Sequence, residues 1–356
     1  MKKILFVAAA LGGGGAERVM LNLANALYDK GNDVVILQTT IDKKAKYSIN
    51  DGIVVESIKC EYKNKIRRIW FKYKQIRRYI KKYSDYTVVS FLPDVNIYCI
   101  LASIGVNNRV VVSERNDPAR EPGSILVRKI RDISYKWADY VVFQTKDAQQ
   151  YFEKKIQKKS CVIPNPLVNS QLPFLNFNEK RKNVIVMVCR VKPQKNVEMM
   201  IDAVNLIKGE LGDYKVEIYG DGNLYRDNMV KKTKKLGIDN IVKFMGPSKN
   251  VYDVMKNSKI YVSTSDYEGI SNTMLEALAI GLPSIVTDCP IGGARMFINN
   301  NKNGILVPVG DSKKLSYEII RLINDEKLQQ RLSNNSIKIR KILDIDIISQ
   351  KWLEIL

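Results

Sequence analysis

The chain has 356 residues, 45% hydrophobic and 27% charged, which is enough for two domains of ordinary size and too apolar for a disordered chain. Its formal net charge is +21, and it has five scattered cysteines and no histidine. The missing histidine excludes imidazole acid–base chemistry, histidine-ligated metals and Ser-His-Asp or Cys-His nucleophiles; the odd cysteine number without a CxxC pair fits a reducing, cytoplasmic setting.

The first residues, MKKILFVAAALGGGG, read as a strand over 3–9, a glycine turn and a helix over 16–28, rather than as a cleavable leader. Gly12, Gly13, Gly14 and Gly15 allow close backbone approach, and the helix N-terminus behind them favours an anion. The loop is not a dinucleotide GxGxxG. The next strand, Asp33–Gln38, ends in Gln38, Thr39 and Thr40 with no acid for a ribose, so a nicotinamide enzyme is disfavoured.

Residues 59–82 contain eleven Lys or Arg and one Glu. Within 63–83 the positions Ile66, Ile69, Trp70, Tyr73, Ile76, Ile80 and Tyr83 recur at steps of three and four, which predicts an amphipathic helix. It reads as an interfacial helix on an anionic membrane surface, as a helix packed on the sheet with a solvated basic face, or as both, with the apolar stripe packed inward and the cations facing lipid. No RNP, zinc or helix-turn-helix signature accompanies the charge, so nucleic acid is not an expected partner. No apolar run reaches the roughly 20 residues that span a bilayer.

Further strands are expected at Thr87–Phe91, 109–113 and 140–144, with helices between them. Residues 163–173 hold three prolines and read as a linker. A second alternation follows, with strands at 183–189, Lys215–Tyr219, 241–244, 259–263, 283–287 and 304–308, and a last helix over 347–355 that packs back on one half. The fold class expected is α/β: two Rossmann-like domains, 1–165 and 170–345, facing a cleft, with a C-terminal helix over 346–356 that can pack on the N-terminal domain.

The most informative segment runs from Glu268 to Glu276, after the fourth strand of the second half. It reads as a helix opening, with Glu268 just before the first turn and Glu276 two turns in, a rise of roughly 12 Å. The backbone of Gly269, Ile270, Ser271, Asn272 and Thr273 between the two acids suits a diphosphate. The plain alternative is a helix start with a surface Glu268 and a capping Ser271. Arg190 and Lys195, just after the strand at 183–189, are two cations able to neutralise a diphosphate without a metal, or else two exposed charges in a basic protein.

Gly14-Gly15-Ala16-Glu17-Arg18, Arg190-x4-Lys195 and Glu268-x7-Glu276 together resemble glycosyltransferase family 4, retaining enzymes of the GT-B fold. Weaker matches are Gly220-Asp221-Gly222, the VKFMG of 242–246 and the GILVPVG of 304–310. SFLPDVN (90–96) and SERNDP (113–118) resemble bacterial enzymes that extend capsule, O-antigen or lipid-linked glycans. The resemblance implies transfer of a hexose or N-acetylhexosamine from a nucleotide sugar, UDP-linked by default, to a polyprenyl-diphosphate-linked glycan at the inner face of the membrane. It implies no metal and no cofactor besides the nucleotide sugar. Arg190 and Lys195 would hold the diphosphate, Glu268 the sugar and Glu276 the ribose. Gly15, Met245, Gly246 and residues 269–273 would line the donor, and Gly13, Gly14, Arg115 and Asp117 the acceptor side. Leaving phosphate would take the acceptor proton. Two departures stand out: Arg115 lies near a position where relatives often carry His, and Met296 follows Gly292-Gly293 where many carry Glu, leaving Arg295 as a further anion contact. The other readings are a soluble acceptor, an epimerase on the same plan, or a basic nucleic-acid-binding protein.

Overall fold

The computed structural model describes residues 1–40 and 47–356. The chain divides into two compact units, Met1–Pro166 with Leu343–Leu356, and Leu167–Ile342.

In the first unit the strands β1 (Lys3–Ala8), β2 (Asp33–Gln38), β3 (Val54–Ser57), β4 (Thr87–Phe91), β5 (Val110–Ser113), β6 (Tyr140–Phe143) and β7 (Ser160–Val162) form a parallel sheet in the order β3-β2-β1-β4-β5-β6-β7. Helices α1 (Gly15–Asp29), α2 (Lys65–Lys82), α3 (Pro93–Ser103), α4 (Ile125–Ser134), α5 (Lys146–Tyr151) and α6 (Lys154–Gln157) connect them. Ile4, Leu5, Phe6 and Val7 of β1 are wholly buried, the continuous apolar run of a strand covered on both faces. The short strands β3 and β7 were not anticipated. All of β3 lies at least partly open on the sheet edge, and β7 runs into the proline-rich segment.

The second unit has β8 (Val184–Val188), β9 (Lys215–Tyr219), β10 (Val242–Gly246), β11 (Ile260–Ser263), β12 (Ser284–Thr287) and β13 (Ile305–Val307), also parallel, in the order β10-β9-β8-β11-β12-β13. Its helices are α7 (Val197–Ile207), α8 (Leu224–Lys235), α9 (Val251–Lys256), α10 (Asn272–Ile280), α11 (Ser312–Asn324), α12 (Glu326–Ser336) and, at its end, α13 (Ile339–Leu343).

The last helix, α14 (Ile345–Ile355), returns to the first unit and packs on α1. Trp352 is 1% exposed and stacks on Phe91 with ring centroids 5.6 Å apart, while Lys30 pairs with Asp346 at 2.9 Å. The amphipathic helix expected over 63–83 is α2, capped by Asn64, whose side chain accepts from Ile66 N and Arg67 N. Its apolar stripe divides: Ile76 and Ile80 are buried, whereas Ile66, Ile69 and Trp70 are exposed. Among the described residues no helix is long and apolar enough to cross a membrane.

Candidate functional site

In the second unit the strand order reverses between β8 and β11, so the loops leaving their C-terminal ends diverge and open a crevice, the usual ligand position in an open α/β sheet. These two loops, 190–196 and 264–271, are tied together. Asp266 N donates to Gln194 O (2.9 Å), Gln194 Nε2 to Tyr267 O (2.9 Å), Asn196 Nδ2 to Asp266 Oδ1 (2.7 Å) and Thr264 Oγ1 to Lys195 O (2.9 Å). Asn196 holds a left-handed φ of 40° and caps α7 through Met199 N, a conformation asparagine tolerates.

Across this seam the Lys195 ammonium lies 2.5 Å from both carboxylate oxygens of Glu268. Ser265 Oγ donates to the same carboxylate at 2.9 Å, and Thr287 Oγ1 holds the Ser265 carbonyl at 2.7 Å. The two side chains are 15% and 20% exposed, so the pair is mostly walled in and open on one side. Arg190 lies two residues beyond the end of β8 and is exposed.

Helix α10 begins only at Asn272, four residues after Glu268. This corrects the expected helical rise between the two acids: Glu268 sits in a loop, and Glu276 lies little more than one turn into the helix. Ser271 is the N-cap, its Oγ accepting from Met274 N at 3.4 Å and meeting Thr273 Oγ1 at 3.1 Å, so Ser271 caps the helix as the plain alternative had it, whereas Glu268 is paired and mostly enclosed rather than a surface side chain. Glu276 is 6% exposed and accepts a hydrogen bond from Tyr252 of α9 at 3.3 Å. Met245 and Gly246 end β10 at the same sheet edge, with Met245 exposed and Gly246 O accepting from Gly220 N at 2.9 Å.

Two glycines make this packing possible. A Cβ on Gly220 would meet Cys189 O at 1.9 Å, and one on Gly293 would meet Gly269 O at 1.8 Å. Gly293 thus lets the 288–296 loop lie on the Gly269–Ile270 backbone. Arg295, expected as an open anion contact, is paired with Asp288 at 2.7 Å.

The first unit treats its expected residues differently. Gly13 N and Gly14 N both donate to Glu17 Oε2, at 3.0 and 2.7 Å, so the anion at this helix start is the protein's own carboxylate. Asp117 is 2% exposed and accepts from Ala119 N, shaping its loop. Arg115 is 8% exposed, lies over the Phe91 ring at 4.0 Å and the Trp352 ring at 5.8 Å, and donates to Asn165 Oδ1 at 2.9 Å. Burial pushes its pKa down to about 9.

Beside it lies a buried network with no signature in the local sequence. Glu114 and Arg131, both with wholly buried side chains, approach to 3.6 Å. Tyr135 OH donates to Glu114 at 3.1 Å, and Asn96 Nδ2 donates to Tyr135 OH at 2.7 Å. Arg131 also donates to the carbonyls of Glu121 (2.7 Å) and Pro118 (3.0 Å), which fixes the 114–122 loop carrying Arg115 and Asp117. Burial outweighs the nearby Arg131 and pushes the Glu114 carboxyl up to about 7. The partners come from the residue after β5, from α3 and α4, and from the residue after α4, so only the tertiary fold assembles them.

Two family models match the chain in the order of its two sheets: Glycosyltransferase Family 4 over residues 13–168 and Glycosyl transferases group 1 over residues 170–339. The chain is 29% identical over 362 residues, covering all of it and 98% of the relative, to the Campylobacter jejuni GalNAc-α-(1→4)-GalNAc-α-(1→3)-diNAcBac-PP-undecaprenol α-1,4-N-acetyl-D-galactosaminyltransferase. It is 26% identical, over 94% of each chain, to that organism's N-acetylgalactosamine-N,N'-diacetylbacillosaminyl-diphospho-undecaprenol 4-α-N-acetylgalactosaminyltransferase. Among solved structures, Anabaena HepE in complex with UDP and glucose superposes with a TM-score of 0.86 at 18% identity, over 99% of each chain. With a Lys–Glu seam at the switch point of its second sheet and both halves matched in order, the chain belongs to the family 4 glycosyltransferases, built on the GT-B fold of two parallel-sheet domains.

Proposed function

We propose that this glycosyltransferase moves a hexose or N-acetylhexosamine from a UDP-linked donor to a polyprenyl-diphosphate-linked glycan in cell-surface polysaccharide synthesis. Transfer retains the anomeric configuration and needs no metal. The observation that carries the donor half is the Lys195–Glu268 pair at 2.5 Å on the seam of the two switch-point loops. It offers a cation for phosphate beside a carboxylate for sugar hydroxyls. Arg190 and Lys195 offset the diphosphate charge, aided by the start of α10. Glu268 orients the sugar, and the 269–273 backbone completes the donor contacts. Glu276 binds the ribose, and Met245 and Gly246 flank the base. The bond from the anomeric carbon to phosphate breaks while the bond to the acceptor oxygen forms on the same face, and the acceptor proton passes to the departing phosphate oxygen. No histidine is required.

The relatives named for undecaprenol-linked glycans support the acceptor class, and HepE solved with UDP supports the nucleotide. The acceptor side is assigned to the first unit around Arg115 and Asp117, with Gly13 and Gly14 acting through close backbone approach because Glu17 occupies their amides. The basic helix α2 holds the enzyme peripherally on the anionic inner face of the membrane, where each nearby cation contributes about 1 kcal/mol.

A panel of nucleotide sugars, scored by thermal protection and by hydrolysis with and without EDTA, tests this reading. Protection by one UDP-sugar, lost in Glu276→Ala, and turnover unchanged in EDTA are the results expected. Normal donor use in Glu276→Ala overturns the donor assignment, and dependence on a divalent cation overturns the metal-free one.

A further inference from the structure

Helix α4 faces the wrong way for a helix of a freely dissolved protein. Its apolar residues Leu126, Ile130 and Ile133, with Trp137 just beyond its end, recur at steps of four, three and four, so they form one stripe. That stripe is turned outward: Ile125 is 65% exposed, Leu126 68%, Ile130 41%, Ile133 52% and Trp137 58%. The inward face carries Arg131 and Ser134, both buried. Isolated exposed apolar side chains are ordinary; four large ones along one helix, continued by Trp137 just after it, are a contact surface.

The inversion has an evident cause. Arg131 is turned inward because its guanidinium holds the Pro118 and Glu121 carbonyls and faces Glu114. The helix is therefore fixed to the loop that carries Arg115 and Asp117, and its apolar stripe is fixed outward.

Charge complementarity identifies the occupant. Helix α3 packs against both α2 and α4, and Arg77 of α2 donates to Ala102 O and Ile104 O at the end of α3. Helix α2 holds nine Lys or Arg and no acid, and it too exposes apolar side chains, Ile66, Ile69 and Trp70. Apolar side chains beside a dense cationic helix fit an anionic lipid surface better than a protein partner, which would have to bury those charges.

We infer that α4 inserts its outward stripe into the acyl boundary of an anionic membrane and so holds the 114–122 loop at headgroup level, where a diphosphate linked to a lipid chain presents itself. This rests on the membrane-peripheral reading and adds to it an apolar anchor distinct from the charges of α2. An apolar anchor makes binding resistant to salt, because screening weakens the cations and leaves the buried stripe untouched.

The test is flotation of the full chain with phosphatidylcholine vesicles, with and without phosphatidylglycerol, at low and high salt. The variants are Leu126→Ser/Ile130→Ser/Ile133→Ser in α4 and Arg67→Gln/Arg68→Gln/Lys72→Gln in α2. Unchanged thermal protection by UDP and an unchanged circular dichroism spectrum show that each variant is folded. The α4 variant is expected to bind anionic vesicles at least roughly tenfold more weakly, with the remaining binding abolished by salt. Brominated acyl chains are expected to quench tryptophan emission in the wild type and less in Trp137→Phe. An α4 variant that floats like the wild type at high salt overturns the inference while the membrane reading stands on α2. A wild type that does not float overturns both. A wild-type dimer that the α4 substitutions dissolve, with flotation unchanged, assigns the stripe to a second copy of the chain and overturns the lipid assignment.

Discussion

Lys195 and Glu268 are brought together from loops 73 residues apart, and neither is bound to its role by its own segment. Glu268→Gln keeps the shape of the site and removes its negative charge. Turnover is expected to fall by roughly 10²–10³-fold, the usual cost of losing one electrostatic partner in a walled-in site, while thermal protection by UDP changes little. Glu276→Ala should act on binding instead: loss of charge-assisted hydrogen bonds raises the donor KM by roughly 10- to 100-fold. Glu114 predicts a pH effect on stability. Its usual pKa of 4.5 is raised to about 7 in the folded chain, so between those values the folded state keeps a proton that the unfolded state has released. Its contribution is therefore present below pH 4.5 and lost as pH rises to 7. Compared with Glu114→Gln, the wild type should lose roughly 3 kcal/mol between pH 4 and 7.5 in urea titrations. Parallel pH profiles for the two proteins would refute this.

At the scale of elements, Arg131 joins α4 to the 114–122 loop. Arg131→Met leaves Glu114 buried beside two abandoned carbonyls, and a loss of about 3–5 kcal/mol in urea unfolding is expected. The Gly293 contact makes a different prediction. Gly293→Ala forces the 288–296 loop off Gly269, so donor protection should weaken while far-ultraviolet circular dichroism is unchanged. The strand–helix alternation was legible because parallel strands buried on both faces are continuous apolar runs, and the boundaries fall within one or two residues of those expected for β4, β9 and β11. The facing of α4 was not legible. A strong apolar stripe argues for burial, and only Glu114, Pro118 and Glu121 gathering around Arg131 turned it outward.

For the whole molecule, the two units predict separable behaviour. The first depends on α14, whose Trp352 is buried against Phe91, whereas the second, Leu167–Ile342, is continuous. Truncation after Ile342 should lower the thermal transition of the first unit, since loss of a buried Trp alone costs about 3–5 kcal/mol. The UDP-dependent shift of the second unit should persist in calorimetry; loss of both transitions would show that the second unit needs α14 to fold. The sequence by itself determined the class of fold, the strand–helix alternation of both halves and the loops at the strand ends, and it singled out Arg190, Lys195, Glu268 and Glu276 as donor-side candidates, because apolar periodicity and motif spacing are local. The tertiary structure alone decided that Lys195 pairs with Glu268, that Tyr252 reaches Glu276, that Glu17 fills the glycine loop, that Arg115 is enclosed by Phe91 and Trp352, and that α4 shows its apolar side to the outside. Each of these depends on which side chains from distant segments meet, and on whether burial or a polar partner prevails at that point, which spacing along one chain does not encode.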